Sequence, residues 1–386
     1  MMTSKERVLK TIARLEPDKV PIDLGGPFSG IVEVEAYGGA YKRLAKHLRI
    51  NVPEPLLNPA FKYVLNLDEK LLQRLHVDCR YIYAGGPEPK FISNDIFSDE
   101  WGIGYKSVGL YNEPRINPLK MAKRAEDVEK YPWPNPQDPI YVQGKEDEAK
   151  KLWNTTDCAV VGCGGYAGYL FGLYAMLRGY TQWLLDTKVN VDFYMALSDK
   201  IFELEVAILD QFLSATGDYL DIFAIADDFG TQTGPVMSMD DFRRFCKPYL
   251  ANFIREVKKR TKAKIFLHSC GSVIRFIDDF VDMGVDVLNP IQPLAYGMDP
   301  QTLKTKFGNK LCFHGGIDVQ NLLPFEKPER VKDSVRRTLS ILSKGGGYIL
   351  GTSHVIGPEV PPENIVAMFD VGEEFGRYSQ GSGIAL

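Results

Sequence analysis

The chain has 386 residues, 45% hydrophobic and 25% charged, with 46 Lys and Arg against 50 Asp and Glu and a formal net charge of −4. This balance excludes disordered and fibrous classes and lacks the basic excess of a nucleic-acid binder. No run approaches the roughly 20 apolar residues of a membrane span, and Met1-Met2-Thr3-Ser4-Lys5-Glu6-Arg7 lacks a signal peptide's apolar centre. A cytoplasmic location is therefore expected, with no membrane or nucleic-acid partner. Six Cys are too few for a disulfide framework, so each reads as a thiol or a metal ligand.

Thr3, with Glu6 three residues on, forms a capping-box helix start. The first β-branched run, residues 20–25, leads into Gly25-Gly26-Pro27-Phe28, and the second spans 79–84. Residues 85–157 then break the rhythm with eight Pro and an expected hairpin at Asp99-Glu100-Trp101-Gly102. Such an excursion reads as a lid or binding loop, or as a surface insertion or dimer contact. The third run, 158–162, enters Gly162-Cys163-Gly164-Gly165, which gives either a close backbone approach to a flat group or a tight turn. A helical pattern at 201–215 precedes the fourth run, 219–226, and Ser238 with Asp241 starts another at 240–260. Runs at 264–268, 285–289, 311–314 and 348–351 follow. Between them lie helices at 273–283, closed by Gly284, and at 329–343, closed by Gly345-Gly346-Gly347. A helix at 362–377 comes last.

These runs are continuously apolar, as parallel strands covered on both faces require. Eight of them with helical crossovers predict an α/β fold, a (β/α)8 TIM barrel over 1–386 with a Pro-rich insertion between strands 2 and 3. The alternative is an open doubly wound sheet, which would carry a phosphate loop after the first strand, where Pro27 removes a donor.

Barrel active sites lie at the C-terminal ends of the strands. There the chain places Asp227-Asp228 and Gln232, His268-Ser269-Cys270, Asn289 and Gln292, His314 and Asp318, and His354. Three of the five His thus fall at strand ends. In an extended chain, residues two apart point to one side, so His268 and Cys270 can converge on one ion. A catalytic zinc keeps three protein ligands, and His354 is the best third. Cys312 is weaker, lying inside its strand. Without a metal, His268 would be an oriented imidazole and Cys270 a small buried hydrophobe. Asp227 and Asp228 are candidates for a general base, a polar anchor or a helix cap, and Asp318 for a cap or ligand. Cys79, Cys158, Cys163 and Cys246 read as inert thiols.

These residues resemble the uroporphyrinogen decarboxylase superfamily. Its marks are Ser4-Lys5-Glu6-Arg7-Val8, Pro17-Asp18-Lys19-Val20-Pro21, Asp99-Glu100-Trp101-Gly102, Asp227-Asp228, His268-Ser269-Cys270-Gly271, and His354 ahead of Pro361-Pro362-Glu363. The resemblance implies a (β/α)8 barrel and offers two activities. Decarboxylases carry an Arg-rich N-terminal stretch that binds the carboxylates of the tetrapyrrole, but the matching Ile22-Asp23-Leu24-Gly25-Gly26-Pro27-Phe28 has no Arg. Corrinoid-linked methyltransferases hold zinc with a His-x-Cys pair and a strand-8 Cys. Here the pair is His268 and Cys270, and His354 stands at the third position. Fewer thiolates make the metal more electrophilic, which suits ether cleavage better than thiol activation.

The resemblance therefore implies a methyltransferase that moves a methyl group from a small methoxylated compound to cobalamin on a separate corrinoid protein. Zinc would sit on His268, Cys270 and His354, with Asp227, Asp228 and His354 catalytic. Gln292, Gln232, His314 and Trp101 would bind substrate, and Trp101, Tyr105 and Tyr111 would wall the pocket. No Asp-x-His-x-x-Gly cobalamin motif occurs, so that cofactor would arrive on the partner. A metal-free decarboxylase or lyase and a non-catalytic binding barrel are the alternatives, and a homodimer is left open.

Overall fold

A computed structural model of the chain describes residues 2–109, 111–164 and 169–378. Its centre is a curled parallel sheet of seven strands, flanked by helices. The strands are β1 (Cys79–Tyr83), β6 (Ala159–Cys163), β7 (Ile222–Ala226), β8 (Lys264–His268), β9 (Val287–Ile291), β10 (Cys312–Ile317) and β11 (Tyr348–Thr352). They neighbour one another in that order, so each crossover advances by one strand. β6, β9, β10 and β11 are buried at every residue, as their unbroken apolar runs demand.

The first expected strand, 20–25, forms only one parallel bridge, between Ile22 and Leu350. Asp23 N–H donates to the Leu350 carbonyl at 2.9 Å, and Asp78 N–H donates to the Ile22 carbonyl at 2.8 Å. The segment thus touches both edges of the sheet, at β11 and just before β1. Pro21 has no N–H to extend a ladder, and the chain leaves the sheet direction at the short helix Gly26–Ser29.

Several helix ends fall on the expected signals, but the helix expected at 201–215 is part of the longer Val191–Thr216 and the one expected at 273–283 begins only at Ile277. Thr3 and Glu6 form the capping box of Ser4–Ile12. Ser238 accepts from Asp241 N–H, and Gly284 closes Ile277–Met283 in the left-handed region. The pattern expected as one helix over 240–260 is broken by a π turn, Phe242–Cys246, before Lys247–Arg260. Pro248 cannot donate to the preceding turn, which explains the break. No helix among the described residues is long and apolar enough to cross a membrane.

Within 85–157 lies an antiparallel sheet of β2 (Lys90–Phe91), β3 (Ile96–Ser98), β4 (Gly104–Ser107) and β5 (Asn112–Ile116). The expected hairpin joins β3 to β4. Asp99 Oδ1 accepts from Trp101 N–H at 3.0 Å and Ile103 N–H at 2.9 Å, while Gly102 takes a positive φ of 74°. The segment ends in the helix Lys145–Thr155, which packs on β1 and β6 as their crossover. Inside the curl of the sheet, Phe28, Cys79, Val161, Cys163, Phe266, Cys312 and Ile349 fill the space below the strand ends.

Candidate metal centre

β8 delivers His268, paired in register with Ala226 on one side and Asn289 on the other. Ser269 turns away and accepts from Phe229 N–H at 3.0 Å, so His268 and Cys270 project together. The Cys270 turn depends on two glycines. Gly271 has a positive φ of 79°, and a Cβ there would lie 2.5 Å from the Gly230 carbonyl carbon. A Cβ on Gly230 would lie 2.5 Å from the Cys270 oxygen. Only bare backbone lets these loops touch, which they do through Ser272 N–H and the Thr231 carbonyl at 2.7 Å.

His268 Nε2 lies 3.3 Å from Cys270 Sγ. The His354 ring crosses that of His268 edge-on, with centroids 5.8 Å apart. Ligand atoms of His268, Cys270 and His354 all lie within 4.8 Å of one another, and no other group of three His, Cys, Asp or Glu among the described residues converges so closely. Tetrahedral zinc, with bonds of about 2.0–2.3 Å, needs donors roughly 3.4–3.6 Å apart, so a side-chain contraction of about 1 Å would seat it. The electrostatics also fit. Burial lowers the pKa of both imidazoles, and that of His354 falls to about 4 with His268 adding to the effect. Burial, reinforced by Asp228, pushes the Cys270 thiol well up. Two neutral imidazoles and a thiol that loses its proton to a cation form a zinc-type donor set.

Asp228 and Gln292 reach this centre. Asp228 Oδ1 accepts from Cys270 N–H at 2.8 Å and lies 3.9 Å from His268 Nε2. Gln292 accepts from Gly271 N–H at 2.7 Å and donates to Cys270 Sγ at 3.8 Å and to the Ser353 carbonyl at 3.2 Å. It therefore ties the Cys270 loop to the residue beside His354, a bracing role where the sequence suggested substrate contact.

Other expected site residues serve the scaffold. Asp227 is fully buried and accepts from Gly172 N–H at 2.8 Å and Phe171 N–H at 3.1 Å, so it caps the helix Leu170–Arg178. Asp318 accepts from Gln320, Asn321 and Leu322 N–H and is likewise a cap. The Gln232 side chain lies on an exposed turn, and its carbonyl accepts from Tyr296 N–H. Trp101 and Tyr105 are buried, Trp101 edge-on to Trp133 at 6.2 Å and Tyr105 with its hydroxyl 3.6 Å from Met176 Sδ on the helix Leu170–Arg178. Tyr111 is half exposed, with Glu359 among the charges acting on it. His314 is buried, between Asn289 and Asp23. A Cβ on Gly162 would strike Leu220, so that glycine serves packing, while Gly165 lies outside the described residues. The six Cys are free thiols, and burial raises those of Cys79, Cys158, Cys163 and Cys246.

Sequence reasoning missed three neighbours. Phe28 sets its ring 5.2 Å from that of His268. Tyr169 is enclosed near Asp228, Asp227 and Cys270, and burial pushes its hydroxyl well up. Asn289 contacts both His268 and His314. Only Asn289 carried a signal, its place at a strand end.

A family model described as Uroporphyrinogen decarboxylase (URO-D) matches residues 111–375. A uroporphyrinogen decarboxylase of Chlorobium luteolum is 26% identical over 149 residues, 37% of this chain and 40% of its own length. One from Pelodictyon phaeoclathratiforme is 24% identical over 190 residues, 47% of this chain and 50% of its own. The chain thus spans half or less of these relatives' length. One from Saccharophagus degradans is 24% identical over 282 residues, covering 70% of this chain and 75% of that protein. The solved structure of a methyltransferase from Methanosarcina mazei aligns with a TM-score of 0.65 and 19% identity, over 97% of this chain and 99% of that one, a likeness of fold. On the extent of the model match, the chain belongs to the uroporphyrinogen decarboxylase family.

Proposed function

We propose that the protein is a methyltransferase that passes a methyl group from a small methoxylated compound, an aryl methyl ether above all, to the cob(I)alamin of a separate corrinoid protein. The observation that carries this reading is the convergence of His268, Cys270 and His354 at the C-terminal ends of β8 and β11. The fold is read as a (β/α)8 barrel, with residues 21–23 as the stave between β11 and β1. His268, Cys270 and His354 would hold zinc, which when bound supplies a Lewis acid for the ether oxygen. Gln292 and the Gly230–Gly271 contact hold Cys270 in place, and Asp228 offers a partly exposed carboxylate to the substrate. Phe28 and Tyr169 wall the centre against water. The methyl–oxygen bond breaks with its electron pair staying on oxygen, and the phenolate takes a proton from solvent. The corrinoid cobalt contributes the electron pair of the new cobalt–carbon bond.

The relatives' names suggest decarboxylation of a polycarboxylate. That substrate needs cations, yet the segment that would supply them presents Asp23, buried and held by His314 and Tyr81. The test incubates zinc-loaded protein anaerobically with cob(I)alamin and a panel of methoxyphenols. Zinc-dependent formation of methylcobalamin and the matching phenol, lost in Cys270→Ala and His354→Ala, supports the proposal. Porphyrinogen decarboxylation, or no methyl transfer by the zinc-loaded protein to cobalamin or to any corrinoid protein supplied, would overturn it.

A further inference from the structure

Behind His268 runs a buried chain of polar groups that ends on the far side of the sheet's interior. Asn289 Oδ1 lies 2.5 Å from His268 Nδ1, and Asn289 Nδ2 lies 2.7 Å from His314 Nδ1. His314 Nε2 lies 2.9 Å from Asp23 Oδ2, which also accepts from the Tyr81 hydroxyl at 2.5 Å. Asn289, His314 and Asp23 are each 2% exposed or less.

The partners fix the direction of every bond. A carboxylate only accepts, so His314 carries its proton on Nε2. In the neutral ring, Nδ1 then accepts, and the Asn289 group facing it must be the NH2. The amide oxygen is thereby turned to His268, whose proton must sit on Nδ1. His268 Nε2 is left with its lone pair on the side of Cys270 Sγ, 3.3 Å away. Each bond polarises the next in one sense, because a more negative acceptor draws the donor's proton and enriches the next acceptor.

We infer that Asn289, His314 and Asp23 are positioning residues that lock His268 in its Nδ1–H tautomer and carry the Asp23 charge, through two neutral groups, to the Nε2 ligand atom. The effect on metal binding rests on the zinc reading above, whereas the tautomer lock does not. Outer partners of metal-bound imidazoles typically change affinity by about 10–100-fold. Asn289→Leu, which removes the direct partner, should weaken zinc by that amount. Asp23→Asn, which keeps the shape and removes the charge, should weaken it by a smaller factor, about 3–10-fold.

The experiment uses the full chain labelled with 15N at its five His. In the metal-free protein, imidazole spectra should show His268 protonated at Nδ1 and His314 at Nε2, opposite tautomers two residues apart along the chain of bonds. Asn289→Leu should give a mixture at His268, and Asp23→Asn should shift the His268 Nε2 resonance although it touches neither ring nitrogen of that residue. A packing role alone would not move that signal. Zinc competition against a chromophoric chelator, with thermal unfolding as the folding control, reads the affinities. His268 protonated at Nε2, His314 doubly protonated, or a folded Asp23→Asn variant with unmoved His268 resonances would overturn the inference. A wild-type chain that shows the opposite tautomers but binds no zinc would refute the metal reading and leave the tautomer lock standing.

Discussion

The clearest consequence of enclosing His354 is an acid limb in the stability of the metal-free protein. The folded-state pKa is near 4 against 6.5 for an ordinary imidazole. Below pH 6.5 the unfolded chain takes up a proton that the folded chain refuses until about pH 4. Stability is therefore full above pH 6.5 and declines as pH falls, by about 1.4 kcal/mol per unit. Between pH 6.5 and 5 the loss reaches about 2 kcal/mol, an upper figure because the ring is partly open to solvent. His268, whose pKa burial also lowers, acts in the same direction. His354→Gln keeps a polar side chain of similar reach and removes the titration. Urea unfolding of both metal-free proteins at pH 7.5 and pH 5 measures the difference. The wild-type chain should lose about 1–2 kcal/mol more than the variant over that interval. Parallel losses would refute the enclosure of His354 on which the donor set depends.

Other outcomes follow from the scaffold. Asp227→Ala strips the acceptor from Phe171 and Gly172 N–H and should destabilise the fold by about 2–4 kcal/mol in chemical denaturation, where a directly catalytic residue would be nearly neutral. Gly271→Ala forces a side chain into a left-handed position against Gly230, so zinc affinity should fall by at least tenfold in chelator competition while most of the fold survives. Trp101→Ala should loosen the insertion by about 3–5 kcal/mol, seen as faster hydrogen exchange in 90–116, and leave zinc affinity unchanged.

The parallel sheet was readable because buried strands have a one-dimensional signature, an unbroken apolar run closed by Gly or Pro. It fails at 20–25, where apolar residues sit in the right place but Pro21 denies them a ladder. The His268–Cys270 pair was readable because side-chain alternation in an extended chain is local. His354 emerged from its strand-end place, yet nothing local shows that it turns toward His268. The capping of Leu170–Arg178 by Asp227 joins residues more than 50 positions apart and leaves no trace in either segment. Trp101 misled because aromatic content cannot tell a pocket wall from a core. The Asp23–His314–Asn289 chain was hidden for a similar reason, since each member has an ordinary role when read alone.

In the proposed function, His268, Cys270 and His354 hold a zinc ion with an open position. Zinc-edge X-ray absorption on the zinc-reconstituted chain tests it most directly. One equivalent of four-coordinate zinc is expected, with a single sulfur at about 2.3 Å and nitrogen or oxygen neighbours at about 2.0–2.1 Å, two of them imidazole. Zinc held at less than a few tenths of an equivalent, or a first shell without sulfur, would contradict it.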